Sequence, residues 1–155
     1  GEIYRVTGKD EMQYESCGNK TGDVIIQDTV VISGVTFKVS AIAEKAFKNN
    51  KDVTSVKIGS NVKAIGAEAF CGCSKLKTVV LGNNVTSIGN NAFFNCHFSS
   101  ITLPKHINRI GWYAFESCYR LRNIYCYAES QPSGWSDDWK GDYCRATVHW
   151  GYKGE

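Results

Sequence analysis

Seven cysteines and three histidines are the residues of this 155-residue chain whose types best suit chemistry. Cys71-Gly72-Cys73 has the form of half a metal site, but no second Cys/His pair follows at ligand spacing, and structural zinc takes four ligands. No metal is expected. Cys96-His97 sets a thiol beside an imidazole, yet neighbouring side chains diverge, and a thiol nucleophile needs its base within hydrogen-bond reach. His106 follows Leu103-Pro104 in a turn, and His149 stands beside Trp150. Asp137 and Asp138, or Glu44 and Glu68, could act as acid and base, but they lie in stretches expected to be solvated. The serine-hydrolase elbow, the H-E-x-x-H zinc motif, the phosphate loop and the dinucleotide fingerprint are all missing. The expectation is therefore no catalytic residue, no cofactor and no enzyme. Asn19-Lys-Thr21 and Asn84-Val-Thr86 match the glycosylation triplet, a motif short enough to recur by chance.

The cysteines are informative through their spacing instead. An odd count leaves at least one unpaired. Cys73, Cys96 and Cys118 occupy one slot of a repeat of 23 residues, filled by Asn50 one period earlier. Such a slot suits a small buried thiol bonded weakly to a loop backbone. Adjacent coils about 4.8 Å apart would also permit disulfides by distance, so recurrence of the slot is what favours a thiol ladder. Cys126 and Cys144 could meet if the tail returns across the last strand; otherwise they are free buried thiols.

The elements that position these residues follow from the same period. One copy runs Val62, Ile65, Gly66, Ala69, Phe70, Cys73, Leu76, Val79, Leu81, and the next gives Val85, Ile88, Gly89, Ala92, Phe93, Cys96, Phe98, Ile101, Leu103, one residue shorter between Cys96 and Ile101. Further copies start at Val39 and Ile107. Ala69, Phe70 and Cys73 follow Ile65 at helical spacing, whereas Val79 and Leu81 alternate with Thr78 and Val80 as in a strand with one buried face. Each copy is thus expected to be a short strand plus a helical turn, with Gly66, Gly89 and Gly111 supplying the bend because glycine tolerates positive φ. One unit cannot bury its own apolar face, so four must stack into a solenoid with a parallel sheet.

The pattern I-G-x-x-A-F-x-x-C-x-x-L-x-x-I-x-L-[P/G], at 65–82 and 88–104, resembles the BspA-type leucine-rich repeats of bacterial surface proteins, over roughly residues 24 to 128. Ala43 in place of the glycine, Asn50 in place of the cysteine and Cys126 in place of the last aliphatic depart from it, and only Pro104 keeps the proline after the strand. The tail from Ala128 also resembles the ending of repeat proteins from gut-dwelling bacteria. The expected fold is an α/β solenoid of four leucine-rich repeats (39–61, 62–84, 85–106, 107–128), an N-terminal β-rich cap over 1–38 and an aromatic-rich C-terminal cap over 129–155. The resemblance implies an extracellular or cell-surface protein whose repeats serve adhesion. The chain itself opens on Gly1-Glu2 without a signal-like segment, and Gly1 reads as a residue left by cloning, so localisation is not legible there.

Charge and hydropathy narrow the partners. Eighteen basic and fifteen acidic residues, net +3, are scattered without a Lys/Arg block, which argues against nucleic acid. Apolar runs of a few residues fall far short of the roughly 20 that span a bilayer, so no membrane insertion is expected. Outward sheet positions should include Lys57, Thr78, Val80, Thr102, Asn123 and Tyr125. Four such strands present only about 250 Å², against roughly 800 Å² per partner in a standard interface, so weak or multivalent binding is expected from the sheet alone. The last copy differs by Trp112 and Tyr113, with Tyr125 and Tyr127 close in register. These aromatics suit a protein hot spot or a sugar face. Alternatively Trp135, Trp139 and Trp150 stack on them to seal the solenoid, which an open end requires. The candidate binding residues are therefore Lys57, Thr78, Val80, Thr102, Trp112, Tyr113, Asn123, Tyr125 and Tyr127. The expected role is a non-catalytic module binding a protein partner, with carbohydrate binding or a structural spacer as alternatives.

Overall fold

The computed structural model describes residues 1–154, which form thirteen strands and, among the described residues, no helix. In chain order these are β1 (Ile3–Val6), β2 (Glu11–Ser16), β3 (Gly22–Ile26), β4 (Thr29–Ile32), β5 (Val35–Ile42), β6 (Val53–Ile58), β7 (Ala64–Ile65), β8 (Thr78–Val80), β9 (Ser87–Ile88), β10 (Ser100–Leu103), β11 (Arg109–Ile110), β12 (Asn123–Cys126) and β13 (Thr147–His149). Two parallel stacks run the length of the molecule. On one side β2, β5, β7, β9 and β11 align Tyr14, Ile42, Ile65, Ile88 and Ile110, and a single bridge from Ile110 to Trp135 extends the column. On the other, β3, β6 and β8 align Val24, Val56 and Val79, and β10, β12 and β13 align Ile101, Ile124 and Val148. Each stack has six members, so the chain makes six turns of solenoid rather than four.

The two additional turns come from the flanks. Residues 11–26 supply a complete first coil through β2 and β3, while β1 and β4 add antiparallel strands on β2 and β5. The tail from 132 to 149 supplies the sixth. Both flanks are caps in position but coils in construction. They escape the repeat pattern because end coils use Tyr14, Trp135 and Trp139 where inner coils use Ile and Phe.

The expected helical turn is also corrected. Over residues 43–50 the N–H groups of Ala46, Lys48 and Asn50 close tight turns onto Ala43, Lys45 and Phe47, whereas those of Lys45, Phe47 and Asn49 donate to Ala67, Ala69 and Cys71 of the next coil at 2.7–3.0 Å. Glu68, Phe70 and Gly72 do the same one period later. An α-helix needs every N–H for its own i−4 carbonyl, so giving alternate donors to the neighbour precludes one. The alternation is achieved by left-handed residues at fixed intervals: Lys45, Glu68, Asn91 and Tyr113, then Asn49, Gly72, Asn95 and Ser117. Gly66, Gly89 and Gly111 are not among them. They are glycines because a Cβ there would collide with the preceding coil; at Gly89 it would lie 2.7 Å from Ala67 Cα and 2.8 Å from the Gly66 carbonyl carbon.

A ring ladder fills the interior beneath these turns. Tyr14, Phe47, Phe70, Phe93 and Phe115 stack at centroid separations of 5.3, 4.8, 5.3 and 5.4 Å, and Trp139 closes the column edge-on at 6.0 Å. All are buried, and burial of each such ring stabilises by about 1.5–3 kcal/mol. Space inside the coil is consumed by hydrocarbon, which leaves the outer skin for recognition.

Candidate binding surface

The outward positions of the second stack form the candidate surface. Strand pairing places Ile25, Lys57 and Val80 in one outward row on β3, β6 and β8, continued on β10, β12 and β13 by Thr102, Tyr125 and His149. A parallel row holds Asp23, Ser55 and Thr78, then Ser100, Asn123 and Thr147. Ile25, Lys57, Thr78 and Val80 are exposed, and Thr102, Asn123 and Tyr125 are half-buried. Tyr127, 40% exposed, follows β12 on the same face. Seven of the nine sequence-derived residues are therefore brought together: Lys57, Thr78, Val80, Thr102, Asn123, Tyr125 and Tyr127.

Trp112 and Tyr113 are not part of that set. They belong to the turn that follows β11. Trp112 is 52% exposed and its N–H donates to Asn90 Oδ1 at 2.9 Å, beside a shallow depression lined by Gly89, Gly111 and Trp135. Tyr113 is one of the left-handed residues; its N–H bonds the Asp138 carbonyl at 3.0 Å, and the charges of Asp142 and Asp138 push its phenol pKa upward.

Nor are the aromatics a flat platform. Tyr125 is covered by His149, 4.8 Å away and nearly parallel, and by Tyr152 at 4.7 Å and 41°. His149 Nε2 bonds Asn123 Oδ1 at 2.8 Å, which locks the tail strand onto β12. Tyr127 meets Tyr152 edge-on at 5.5 Å. Trp135 and Trp139 are buried, with the indole N–H of Trp135 on the Ile107 carbonyl at 3.0 Å. Most of the C-terminal aromatic area is thus spent closing the sixth coil.

The thiols occupy the interior. Cys73, Cys96 and Cys118 donate to the carbonyls of Phe47, Phe70 and Phe93 at 3.1, 3.1 and 3.0 Å, which realises the expected ladder. Asn50, in the same slot, bonds the Lys20 carbonyl and caps Asp52 and Val53 through its Oδ1. Burial pushes the thiols of Cys73, Cys118 and Cys126 up to about 12 and that of Cys96 well above its ordinary value. Such groups stay protonated and are poor nucleophiles at neutral pH. All seven cysteines, Cys126 and Cys144 included, are free.

Two features escaped the sequence reading. Glu116 is a buried carboxylate whose Oε1 accepts the N–H groups of Tyr143 at 2.7 Å and Ser117 at 3.1 Å, pinning the tail to the fifth coil. Its signal was available, since other copies place Lys48, Cys71 or Phe94 near that point. The second is a break in the outer sheet. Lys77 N–H donates to Thr54 and Arg122 N–H to Ser99, both at 2.9 Å, but the intervening bond from Ser99 to Lys77 is absent among the described residues. The face is two three-stranded sheets, not one of six strands.

A six-turn solenoid with two parallel strand stacks, a filled core and no helix among the described residues defines a leucine-rich-repeat type of module. The BspA type leucine-rich repeat region matches residues 40–133 as six copies, and the chain belongs to that family. No curated protein matches the sequence. Among solved structures, the chain is similar to the leucine-rich repeat protein TpLRR of T. pallidum, at 28% identity and a TM-score of 0.72, covering 80% of this chain and 57% of that one. A leucine-rich repeat protein from Bacteroides ovatus is 24% identical with a TM-score of 0.56, covering 80% and 45%. The pneumococcal vaccine antigen PcpA is 19% identical with a TM-score of 0.65, covering 91% of this chain and 37% of that one. The last two share the fold. The chain spans about half the length of the first two.

Proposed function

We propose that this chain is a non-catalytic binding or adhesion module of a bacterial cell-surface or secreted protein, and that its partner is a protein met by the outer face of β3, β6, β8, β10 and β12. The observation that carries this is the mixed row Ile25, Lys57, Val80, Thr102 and Tyr125, where apolar and polar side chains alternate on the outer strands while the inward residues of those strands are committed to the core. Family membership supports a module of this kind, and the cell-surface setting follows the resemblance to surface proteins of this repeat class. These five strands, about 4.8 Å apart and about 13 Å long, present some 310 Å², so a single module binds weakly and avidity from a longer array supplies the remainder.

The test is an array of matrix proteins, host-cell proteins and glycans, probed with multivalent wild type and with a Lys57→Glu, Val80→Arg double variant. Signal on protein spots that the double variant loses and Trp112→Ala keeps is the expected result. Equal signals from wild type and double variant overturn the sheet as the site, and signals confined to glycans overturn the protein partner.

A further inference from the structure

The interruption between β8 and β10 is local and coincides with two sequence features, a shortened loop and a proline. Copies before and after place five residues between the ladder cysteine and the buried strand residue, as in Cys73 to Val79 and Cys118 to Ile124, but only four lie between Cys96 and Ile101. Phe98 fills the interior from this shortened loop, edge-on to Phe93 at 5.7 Å. Downstream, Tyr127 N–H donates to the Leu103 carbonyl across the β10–β12 junction. The equivalent donor across the β8–β10 junction would be residue 104, which is proline and has no N–H. On the other side of the same coils β7, β9 and β11 pair without interruption. The solenoid is therefore continuous and only its outer face is parted.

The parting leaves a cleft of about 440 Å³ lined by Thr78, Val80, Ser100, Thr102, Pro104 and Tyr127, together with main-chain groups of two facing strand edges. Some Cα atoms of β8 and β10 approach within 8 Å. Among the described residues no ladder bond joins the two strands, so main-chain donors and acceptors on both edges are left without strand partners. What fits between two such edges is a group that both donates and accepts at one atom, and a hydroxyl does so. At the rim, the half-exposed ring of Tyr127 and the exposed side chain of Val80 offer apolar contact.

We propose that this cleft is a saccharide subsite: sugar hydroxyls bridge the unpaired edges of β8 and β10, assisted by Thr78, Ser100 and Thr102, while a pyranose face rests on Tyr127. It shares Val80 and Thr102 with the protein-binding face but concerns one junction and another ligand class.

The experiment is a ¹⁵N–¹H titration of the whole chain with lactose, maltose and chitobiose, with glycerol as a simple polyol. The expected result is saturable shifts, in the millimolar range for at least one disaccharide, centred on residues 78–81 and 99–103. Tyr127→Ala weakens binding about tenfold, and Trp112→Ala leaves it unchanged. A variant with Pro104→Gly and one serine inserted after His97 restores the 23-residue period; it gains protected amides on β8 and β10 and loses the sugar. No saturable shift with any disaccharide overturns the proposal, as does a glycerol response equal to the sugars' or shifts centred on Trp112. Failure of the protein array leaves these outcomes untouched. If the insertion variant does not fold, Tyr127→Ala and the shift map decide.

Discussion

Buried thiols without disulfides give this protein an alkaline liability. The thiols of Cys73, Cys118 and Cys126 are held near 12 by burial, against an unfolded value of about 9. Their folded pKa is raised, so their contribution is whole below pH 9 and is lost as pH climbs toward 12, the unfolded chain releasing protons that the native state retains. Stability should fall by about 1.4 kcal/mol per thiol for each pH unit above 9. Urea unfolding at pH 8 and pH 10 under reducing conditions reads this, and Cys118→Ala should flatten the slope by one thiol's share. Cys71, half-exposed, should be the first to take maleimide at neutral pH, and Cys71→Ser should remove the fast phase. Glu116 makes the opposite kind of contact, a buried carboxylate paired only with backbone donors. Glu116→Ala strands the Tyr143 and Ser117 amides and should cost about 1.5–3 kcal/mol, seen as a lower urea midpoint.

At the scale of one coil the informative residues are those that permit close stacking. Gly89→Ala places a methyl within 2.8 Å of backbone that cannot move without parting the coils, and should cost about 2 kcal/mol or more in thermal or urea unfolding. Phe93→Ala opens the ring ladder and should cost about 3–5 kcal/mol. The positions of these residues were legible from the sequence, since a 23-residue period needs only self-similarity to be seen. Their conformations were not. Ala69, Phe70 and Cys73 share a face at helical spacing, and that spacing is equally met by a string of tight turns. Deciding between them requires knowing that alternate N–H groups leave for the next coil, a non-local fact. The same limit hid the end coils, where Trp135 takes the place of an isoleucine. The outward strand residues were read correctly because alternation fixes the face of a strand, whereas Trp112 and Tyr113 lie on a turn whose direction no local pattern sets.

Across the whole molecule each coil touches only its neighbours, so stability should be distributed as in a one-dimensional array. The sixth coil has a particular place in that array. It covers Ile110 through Trp135, Phe115 through Trp139 and Ile124 through Val148. Removing residues 129–155 exposes those three columns at once, yet leaves every contact of the coils between Val39 and Asn84 intact. Hydrogen exchange of the truncated chain should therefore show lost protection over 107–126 and near-native protection over 39–84. A cooperative globule would instead lose protection everywhere, and that result would refute the array picture. The parted junction sharpens the expectation: with no outer-sheet bonds between β8 and β10, opening that starts at the damaged end should stop there, so residues 78–80 stay protected from the β6 side while 100–103 exchange.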